Sequence, residues 1–450
     1  MNGQTDHSII SSSNIPTRLG RGGTEKQQLN RVVIAAMAGS IIEWFEFSVY
    51  GYLAAVMGQV FFSSSTATVQ IIASLATFAI AFLARPFGGA ICGLLGDKYG
   101  RKSVLNTTLF VMAAATFAIG LIPSQASIGI AAPSLLVLMR LLQGLSAGGE
   151  VSAAAIFVAE QCEDRHRTLM TAWVEVGAMA GFLFGAAVSF ILHQCFTDAQ
   201  LTAWAWRIPF FFAAPLAYIG LYIRRKLEES ELFTKAQREG KVGRLSMAQQ
   251  LRSLGAYKGV MLQAAGMVIV TNITLFTVLT YLPTYLNKDL HLTGGHALAM
   301  SLAPMALLVV LIPVFAAIAD RVGRKPMMIT GSICVLLLAI PLFQLLRSGN
   351  VMYQMFALTA LNVFLAMLTS CIFAQIPSLF PLKVRFMAMA ISYNVTIALF
   401  AGTAPMINAW LVGATGNQLM PAYYMMSGCV LGLFALFVSH DRTGASMADD

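Results

Sequence analysis

The chain repeats long apolar stretches that are separated by short polar breaks. Most of the stretches reach about 20 residues, the length that an α-helix needs to cross the hydrocarbon core of a bilayer. The pattern predicts an all-α membrane protein with twelve transmembrane helices. The predicted spans cover residues 32–60, 69–95, 104–122, 130–160, 170–193, 207–224, 259–286, 297–319, 326–346, 352–378, 386–412 and 420–439.

The composition agrees with this pattern and excludes several classes of protein. Of the 450 residues, 57% are hydrophobic and 11% are charged, whereas a soluble protein carries roughly 25% charged residues. An ordinary soluble enzyme and a disordered chain are therefore excluded. The six cysteines are scattered and have no histidine at metal-ligand spacing. We expect no metal, no cofactor and no enzymatic activity.

The net charge of +9 comes from lysines and arginines that concentrate in the N-terminal tail and in every second polar break. The positive-inside rule then places both termini in the cytoplasm. Basic loops near anionic lipid explain the charge, so the bilayer is an expected partner and nucleic acid is not. The predicted segments are an N-terminal tail at 1–31, a six-helix bundle at 32–224, a linker at 225–258, a second bundle at 259–439 and a C-terminal tail at 440–450.

One polar break occurs twice. GLLGDKYGRK at 93–102 and AAIADRVGRK at 316–325 both follow the second span of a six-span half. This repeat predicts two pseudo-symmetric six-helix bundles, as in rocking transporters. In each copy the aspartate can pair with a neighbouring basic residue or cap the next helix. The loops either only fix the topology or form a gate that opens when the bundles tilt. The candidate gating residues are Asp97, Arg101, Arg165, Arg167, Asp320 and Arg324.

Ionisable side chains in the interior of the spans are confined to the first bundle. Because desolvating a charge is costly, such residues indicate a functional site. Four deep glutamates face two deep arginines, so about two acids lack a partner. Burial favours the protonated form of a carboxyl group, which makes these acids candidates for proton coupling; closed structural ion pairs are the alternative. The proton-coupling candidates are Glu43, Glu46, Glu150 and Glu175.

Aromatic residues accompany the acids of the first span. Trp44 and Tyr50 lie near Glu43, and aromatic faces beside a carboxylate suit a quaternary ammonium group. The alternative is that they only pack or lie at the membrane interface. Pro283, Pro377 and Pro405 are expected to break their helices near a cavity. The polar candidates for the facing wall in the second bundle include Asn272, Tyr281 and Asn394.

Several motifs resemble those of a known family. They are IEWFEFSVYGY (42–52), ARPFGGAICGLLGDKYGRK (84–102), RLLQGLSAGGE (140–150) and FPLKVRF (380–386). In this order they resemble the metabolite:proton symporter branch of the major facilitator superfamily. Within that branch, VQIIASLATF (69–78) and TNITLFTVLTYLPTYL (271–286) are similar to the osmoprotectant symporters, which import proline and glycine betaine.

The resemblance implies proton-coupled uptake of a small zwitterion by alternating access in the bacterial inner membrane. It further implies that the acids and aromatics near Glu43 receive the ammonium group and that Arg85 or Arg140 receives the carboxylate. The expected partners are the small-molecule substrate and the proton. The candidate substrate-binding residues are Glu43, Trp44, Tyr50, Arg85, Arg140, Glu150, Asn272, Tyr281 and Asn394.

The chain departs from the osmoprotectant pattern at three charged positions. Glu46 and Glu175 stand where that pattern has aspartate, and Arg140 stands where it has lysine. These changes keep the charge but alter its reach and shape, so the substrate can differ. No heptad repeat follows the last span, so osmosensing through a coiled coil is not expected. Two alternatives remain: a proton symporter for a carboxylate such as citrate, a dicarboxylate or an aromatic acid, and a transporter-like membrane sensor.

Overall fold

A helix or a run of helices occupies each of the twelve predicted spans. The computed structural model describes residues 22–99, 101–162, 164–225, 254–381 and 384–444, and this described part contains no β-strand. Ten of its helices are long and apolar enough to cross a membrane, and the third span contains a shorter apolar helix, Asn106–Leu121. The chain is therefore a multi-pass membrane protein.

The first six spans form the N-terminal bundle. They are Gly22–Tyr52 with Ala54–Phe61, Ala67–Tyr99, Arg101–Leu121, Ala131–Ala147 with Glu150–Gln161, Arg167–Cys195, and Ile208–Phe211 with Ala213–Arg225. Short helices at Gln125–Ile128, Asp164–His166, Asp198–Ala203 and Ala205–Arg207 lie in the connections.

The last six spans form the C-terminal bundle, which follows a short helix at Leu254–Tyr257. They are Lys258–Leu275 with Phe276–Tyr281 and Leu282–Lys288, Gly294–Val322, Arg324–Leu346, Val351–Ser378, Arg385–Thr396 with Ile397–Ala401 and Ala404–Thr415, and Met420–Val438. Most of the predicted linker at 225–258 lies outside the described residues.

Two predicted boundaries need correction. The first helix begins at Gly22, ten residues before the predicted span, because hydropathy marks only the part that lies in lipid. Residues 24–31, which are polar apart from Leu29, contain no proline or glycine and continue the helix. The fourth span is divided at Gly148 and Gly149 into two helices, a break that its apolar pattern does not reveal.

The two bundles have the same internal packing. In the first, the helices that pack together include spans 1 and 5, 1 and 6, 2 and 4, 3 and 4, and 3 and 6. The second repeats these pairs as spans 7 and 11, 7 and 12, 8 and 10, 9 and 10, and 9 and 12. The prediction of two pseudo-symmetric six-helix bundles is thereby confirmed.

The contacts between the bundles follow the same symmetry. Span 5 packs against span 8, and span 2 packs against span 11. Span 5 of the first bundle is equivalent to span 11 of the second, and span 2 is equivalent to span 8. The pseudo-symmetry that relates the bundles therefore converts the contact between spans 5 and 8 into the contact between spans 11 and 2. The interface therefore runs through the middle of the molecule, where the charged residues of the first bundle lie.

Glycines allow the helices of the first bundle to approach closely. A Cβ atom at Gly148 of span 4 would collide with the carbonyl oxygen of Arg85 in span 2. At Gly181 of span 5 it would lie 2.6 Å from the carbonyl oxygen of Ile41 in span 1. The glycine repeats of spans 4 and 5 thus act as small-residue packing motifs. This contact brings Arg85 and the fourth span together.

Two spans of the second bundle contain a π-helical segment at the interface. Phe276–Tyr281 precedes Pro283, and Ile397–Ala401 precedes Pro405. A proline cannot donate a backbone hydrogen bond and clashes with the carbonyl one turn earlier, and π-helical turns are common at functional sites. Phe82 of the first bundle lies between the two segments: its ring centroid is 5.2 Å from that of Phe276, and Gly402, the residue directly after the second segment, packs on its side chain.

Candidate functional site

The six ionisable residues predicted inside the first bundle are all buried. None exposes more than 6% of its surface. They lie on helices that converge on the interface between the bundles. The set consists of Glu43, Glu46, Arg85, Arg140, Glu150 and Glu175.

Arg85 forms a buried ion pair with Glu43. Its Nη2 atom lies 2.6 Å from the Glu43 Oε1 atom, and both side chains are fully buried. The guanidinium carbon is 4.7 Å from the ring centroids of Phe47 and Phe82 and 5.3 Å from that of Trp44. Three aromatic rings therefore surround this ion pair and enclose the Arg85 guanidinium group; of these, Trp44 was a sequence candidate and Phe82 was not.

Arg140 is also fully buried but differs from Arg85 in its partners. Its Nη1 atom donates to Gln143 Oε1 at 3.0 Å, and its guanidinium carbon lies 3.6 Å from the centroid of the Tyr50 ring. The Nε and Nη2 atoms have no hydrogen-bond partner among the residues that the structure describes. A desolvated cation without a carboxylate is costly, so this position is suited to an anionic ligand group.

A hydrogen-bonded chain connects Arg140 with Glu46. Gln143 Nε2 donates to Thr116 Oγ1 at 2.5 Å, and the Thr116 hydroxyl hydrogen-bonds with the Glu46 carboxyl group. The same hydroxyl also lies 2.9 Å from the Met112 carbonyl oxygen. It can therefore donate to an ionised Glu46, or accept from a protonated Glu46 and donate to Met112. Sequence reasoning missed Thr116, because one threonine in an apolar helix gives no signal.

The other two buried glutamates, Glu175 and Glu150, differ in position from the residues that connect Arg140 with Glu46. Glu175, 5% exposed, has no hydrogen-bond partner within the described part of the protein. Glu150, 6% exposed, occupies the first turn of the second helix of span 4.

Of the predicted facing wall, only Asn394 reaches the first bundle through a hydrogen bond. Its Nδ2 atom donates to the Gly148 carbonyl oxygen at 2.8 Å. Asn272 bonds within its own helix, to Val268 O at 3.1 Å. The Tyr281 hydroxyl donates to Asp289 Oδ2 at 3.4 Å, which groups Tyr281 with the loop after span 7. The spacing of hydrophobic residues could not show which of these three side chains forms a hydrogen bond with the first bundle.

Two of the gating candidates, Asp320 and Arg324, form hydrogen bonds with the opposite bundle. The two carboxylate oxygens of Asp320, at the end of span 8, accept hydrogen bonds of 3.0 Å from the backbone N–H groups of Thr168 and Leu169. Arg324 Nε donates to Thr168 Oγ1 at 2.8 Å. Asp320 therefore caps span 5 of the opposite bundle, whereas the sequence suggested a neighbouring basic residue or the next helix.

We call this end of the molecule the terminal face; it consists of residues 162, 164–168, 320–325 and 439–444. The backbone N–H of Arg324 donates to Thr443 Oγ1 at 3.0 Å. Arg167 is held by the Ala159 carbonyl oxygen at 3.1 Å and by an ion pair with Asp164. An open cleft of about 490 Å³ lies here, lined by Asp164, Arg165, Asp320, Arg321, Asp441 and Thr443 among others. The side chains of the gating candidates Asp97 and Arg101 lie outside those described.

The described residues contain no group of three or more His, Cys, Asp or Glu side chains arranged for a metal ion. The chemistry of the central site is therefore that of carboxylates, guanidinium groups, amides and aromatic rings. Such a set can bind a charged organic molecule and exchange a proton.

Comparison with known proteins agrees with this fold. The sequence profile of the Major Facilitator Superfamily matches residues 36–396. A protein of Salmonella typhimurium named "Proline/betaine transporter" is 42% identical over 436 residues, which cover 94% of this chain and 84% of the relative. One from Dickeya dadantii, named "Glycine betaine/proline/ectoine/pipecolic acid transporter OusA", is 41% identical and covers 90% of this chain and 82% of its own length.

Solved structures share the architecture at lower sequence identity. The crystal structure of a D-xylose-proton symporter superposes with a TM-score of 0.73 and is 18% identical, covering 92% of this chain and 99% of that one. At this identity the likeness concerns the fold alone. The shared fold is the twelve-helix, two-bundle arrangement described above.

Proposed function

The chain belongs to the major facilitator superfamily, and on this premise we propose that it imports a small zwitterion of the proline or glycine betaine type together with a proton. The observation that carries the proposal is Arg140, a fully buried cation without an acidic partner among the described residues. The relatives named as proline and betaine transporters supply the substrate class.

Arg140 is the proposed site for the substrate carboxylate. The sequence left Arg85 and Arg140 as equal candidates, but Arg85 is already paired with Glu43 at 2.6 Å. The two unpartnered nitrogens of Arg140, Nε and Nη2, can donate to two oxygens of one carboxylate. A substrate carboxylate there would neutralise Arg140, which has no ion-pair partner among the described residues.

The ammonium end of the substrate then lies toward the carboxylates and aromatic rings of the interface. Glu43 and Trp44 from span 1 provide a negative charge and a ring face. Asn394, which reaches Gly148 across the interface, brings the second bundle to the same region. A zwitterion thus bridges acidic and basic groups whose separation is fixed by the packing of spans 1, 2 and 4.

Glu46 is the proposed proton carrier, with Glu175 as the second candidate. The hydroxyl of Thr116 satisfies Glu46 in both protonation states, because it can turn between the carboxyl group and Met112 O. A substrate carboxylate that neutralises Arg140 removes a charge that stabilises ionised Glu46, so substrate and proton favour each other's binding. Such mutual stabilisation is what symport requires.

Alternating access follows from the arrangement of the bundles. We propose that residues 32–224 and 259–439 move as two units joined by the linker at 225–258. The terminal face, with the tails at 1–31 and 440–450, is proposed to lie in the cytoplasm of a bacterial cell. In the present arrangement Asp320 and Arg324 join the bundles at that face.

The test is uptake into proteoliposomes under an imposed pH gradient, with proline, glycine betaine, citrate and shikimate compared in parallel. We expect gradient-driven accumulation of proline or glycine betaine. Accumulation of citrate or shikimate instead would favour the carboxylate alternative, and binding without uptake would favour a sensor.

Arg140→Ala tests the observation behind the proposal. Loss of a buried charge partner costs about 2–5 kcal/mol, so we expect the KM for uptake to rise at least about thirtyfold. The matched control is Arg207→Gln, since Arg207 also lies over an aromatic ring, that of Trp206 at 4.5 Å, but is remote from the central site. Unchanged uptake by a normally inserted Arg140→Ala variant would contradict the carboxylate site.

A further inference from the structure

The aromatic cage of the first bundle is filled by a cation that belongs to the protein. We define the cage by Trp44, Phe47 and Phe82, whose ring centroids lie 5.3, 4.7 and 4.7 Å from the Arg85 guanidinium carbon. Glu43 completes it as the counter-ion at 2.6 Å. A guanidinium group enclosed by ring faces and one carboxylate has the charge and environment that an organic ammonium requires.

The cage is also closed by the opposite bundle. Phe276, in the π-helical segment of span 7, lies with its ring centroid 6.0 Å from Trp44 and 5.2 Å from Phe82. The enclosure therefore depends on both bundles being in contact. If the bundles rock as proposed above, Phe276 moves away from the other rings and the cage opens between the two halves.

Two cations cannot share this cage. One carboxylate balances one positive charge, and a second cation within a few ångströms in a desolvated site is strongly repelled. A substrate ammonium can therefore enter only if the Arg85 side chain leaves.

We propose that Arg85 is a tethered substitute for the substrate's ammonium group, which occupies the cage in the empty transporter and is displaced when a quaternary or secondary ammonium binds. The inference rests on the proposed function for the identity of the substrate. The displacement of Arg85 also explains how the transporter can change conformation without substrate. The cage contains one positive charge in both the empty and the loaded states. An uncompensated Glu43 in the interior is thereby avoided.

The experiment measures equilibrium binding of radiolabelled choline, a quaternary ammonium without a carboxylate, to the full-length protein in lipid nanodiscs. In the wild type Arg85 competes for the cage, so choline binding is weak. In Arg85→Gln the cage is vacated while Glu43 and the rings remain, and we expect the affinity for choline to rise about tenfold or more. Arg207→Gln, which removes an arginine from the ring of Trp206, is the matched control and should bind choline as the wild type does.

Two further variants locate the effect. Adding Phe82→Leu to Arg85→Gln removes one wall of the cage and should abolish the gain. If Arg85→Gln does not fold, Arg85→Lys keeps the positive charge but stacks less well on the rings, and it should bind choline more tightly than the wild type. A folded Arg85→Gln or Arg85→Lys variant with wild-type affinity for choline overturns the proposal. A rise in choline affinity that persists when Phe82→Leu is added to Arg85→Gln overturns it as well.

The same preparations separate this inference from the proposed function. Wild-type protein that binds glycine betaine, combined with no gain of choline binding in the Arg85 variants, contradicts the displacement alone. A gain of choline binding in Arg85→Gln, combined with no binding of glycine betaine or proline by the wild type, supports the displacement and contradicts the substrate assignment.

Discussion

The carboxylate of Asp320, at the end of the eighth span, accepts a hydrogen bond of 3.0 Å from the backbone N–H of Thr168, at the start of the fifth span. The neighbouring N–H of Leu169 binds the other carboxylate oxygen. The first N–H groups of a helix have no partner within the helix, and the helix dipole favours a negative charge beside them. Because the two spans belong to different bundles, this contact joins the halves at the terminal face.

Asp320→Asn should weaken that closure. The amide keeps one acceptor oxygen but loses the charge, which is worth about 1 kcal/mol at a helix N-terminus. Cys371 is fully buried in span 10 and lies three residues before Ala374, whose carbonyl oxygen accepts a hydrogen bond from Arg324. It can report opening through its rate of alkylation by a maleimide, with the other cysteines replaced by serine. A loss of 1 kcal/mol corresponds to a roughly fivefold higher rate.

The control for this change is Asp198→Asn. Asp198 also occupies the first turn of a helix, Asp198–Ala203, but it is exposed and lies in the connection between spans 5 and 6. It should leave the alkylation rate unchanged. An Asp320→Asn variant that is alkylated no faster than the wild type would show that the contact does not hold the bundles together.

Glu46→Gln should abolish accumulation driven by a pH gradient while leaving substrate exchange between equal pools intact. Glutamine can still hydrogen-bond with Thr116, but it has no exchangeable proton to carry. The measurement compares uptake under a pH gradient with counterflow in the same proteoliposomes. Normal accumulation by the variant would remove Glu46 from the coupling role and leave Glu175 as the candidate.

Thr116 provides a matched pair for this prediction. Thr116→Ser keeps the hydroxyl that bonds with Glu46 and accepts from Gln143, so coupling should remain. Thr116→Val has a similar shape but no hydroxyl, and it should reduce accumulation more than it reduces counterflow. Equal behaviour of the two variants would argue against the chain from Arg140 to Glu46.

The sequence located the charged site because a charge in an apolar span is visible from position alone. The sequence could not show which of these charged residues form ion pairs with each other. Arg85 and Arg140 look alike in sequence, yet only Arg85 has a carboxylate partner among the described residues, a difference that depends on how spans 1, 2 and 4 pack. The cap that Asp320 forms on Thr168 joins residues far apart in sequence, so local rules for helix ends pointed to the wrong helix.

The fold was predictable to a similar degree. Hydropathy gave the twelve spans, and the repeat of the motif around Asp320 gave the two bundles. The extension of the first helix back to Gly22 was not predicted, because a helix can continue into water without an apolar face. The hydrogen bond from Tyr281 to Asp289 was not predicted either, since a tyrosine near the end of a span suits a central site and the membrane interface equally.

Gly148→Ala should destabilise the protein. The added methyl group would collide with the carbonyl oxygen of Arg85, which is backbone and cannot rotate away. Overpacking of this kind costs about 1–3 kcal/mol, visible as a lower Tm in detergent. Gly259→Ala is the control, because a Cβ atom there meets nothing within 4 Å. Equal Tm values for both variants would mean that spans 2 and 4 can separate without cost.

Asp289 provides a test of stability against pH outside the membrane spans. The residue follows the helix Leu282–Lys288 and is half-buried. Burial raises the pKa of the Asp289 carboxyl above its ordinary value of 3.8, although the charge of Lys288 and the hydrogen bond from Tyr281 oppose this shift. The folded protein therefore binds the Asp289 proton more tightly than the unfolded chain does.

The sign of the effect follows from this difference. Stability is lost as the pH rises from 3.8 through the raised pKa of the folded state, because the ionised carboxylate is then held in a poorly solvated position. Asp289→Asn cannot ionise, so its Tm should exceed that of the wild type at pH 7. The difference in Tm between the variant and the wild type should become smaller as the pH falls toward about 4. Asp198→Asn, at an exposed aspartate, controls for the substitution itself. A wild type more stable than Asp289→Asn at pH 7 would mean that Tyr281 and Lys288 outweigh burial.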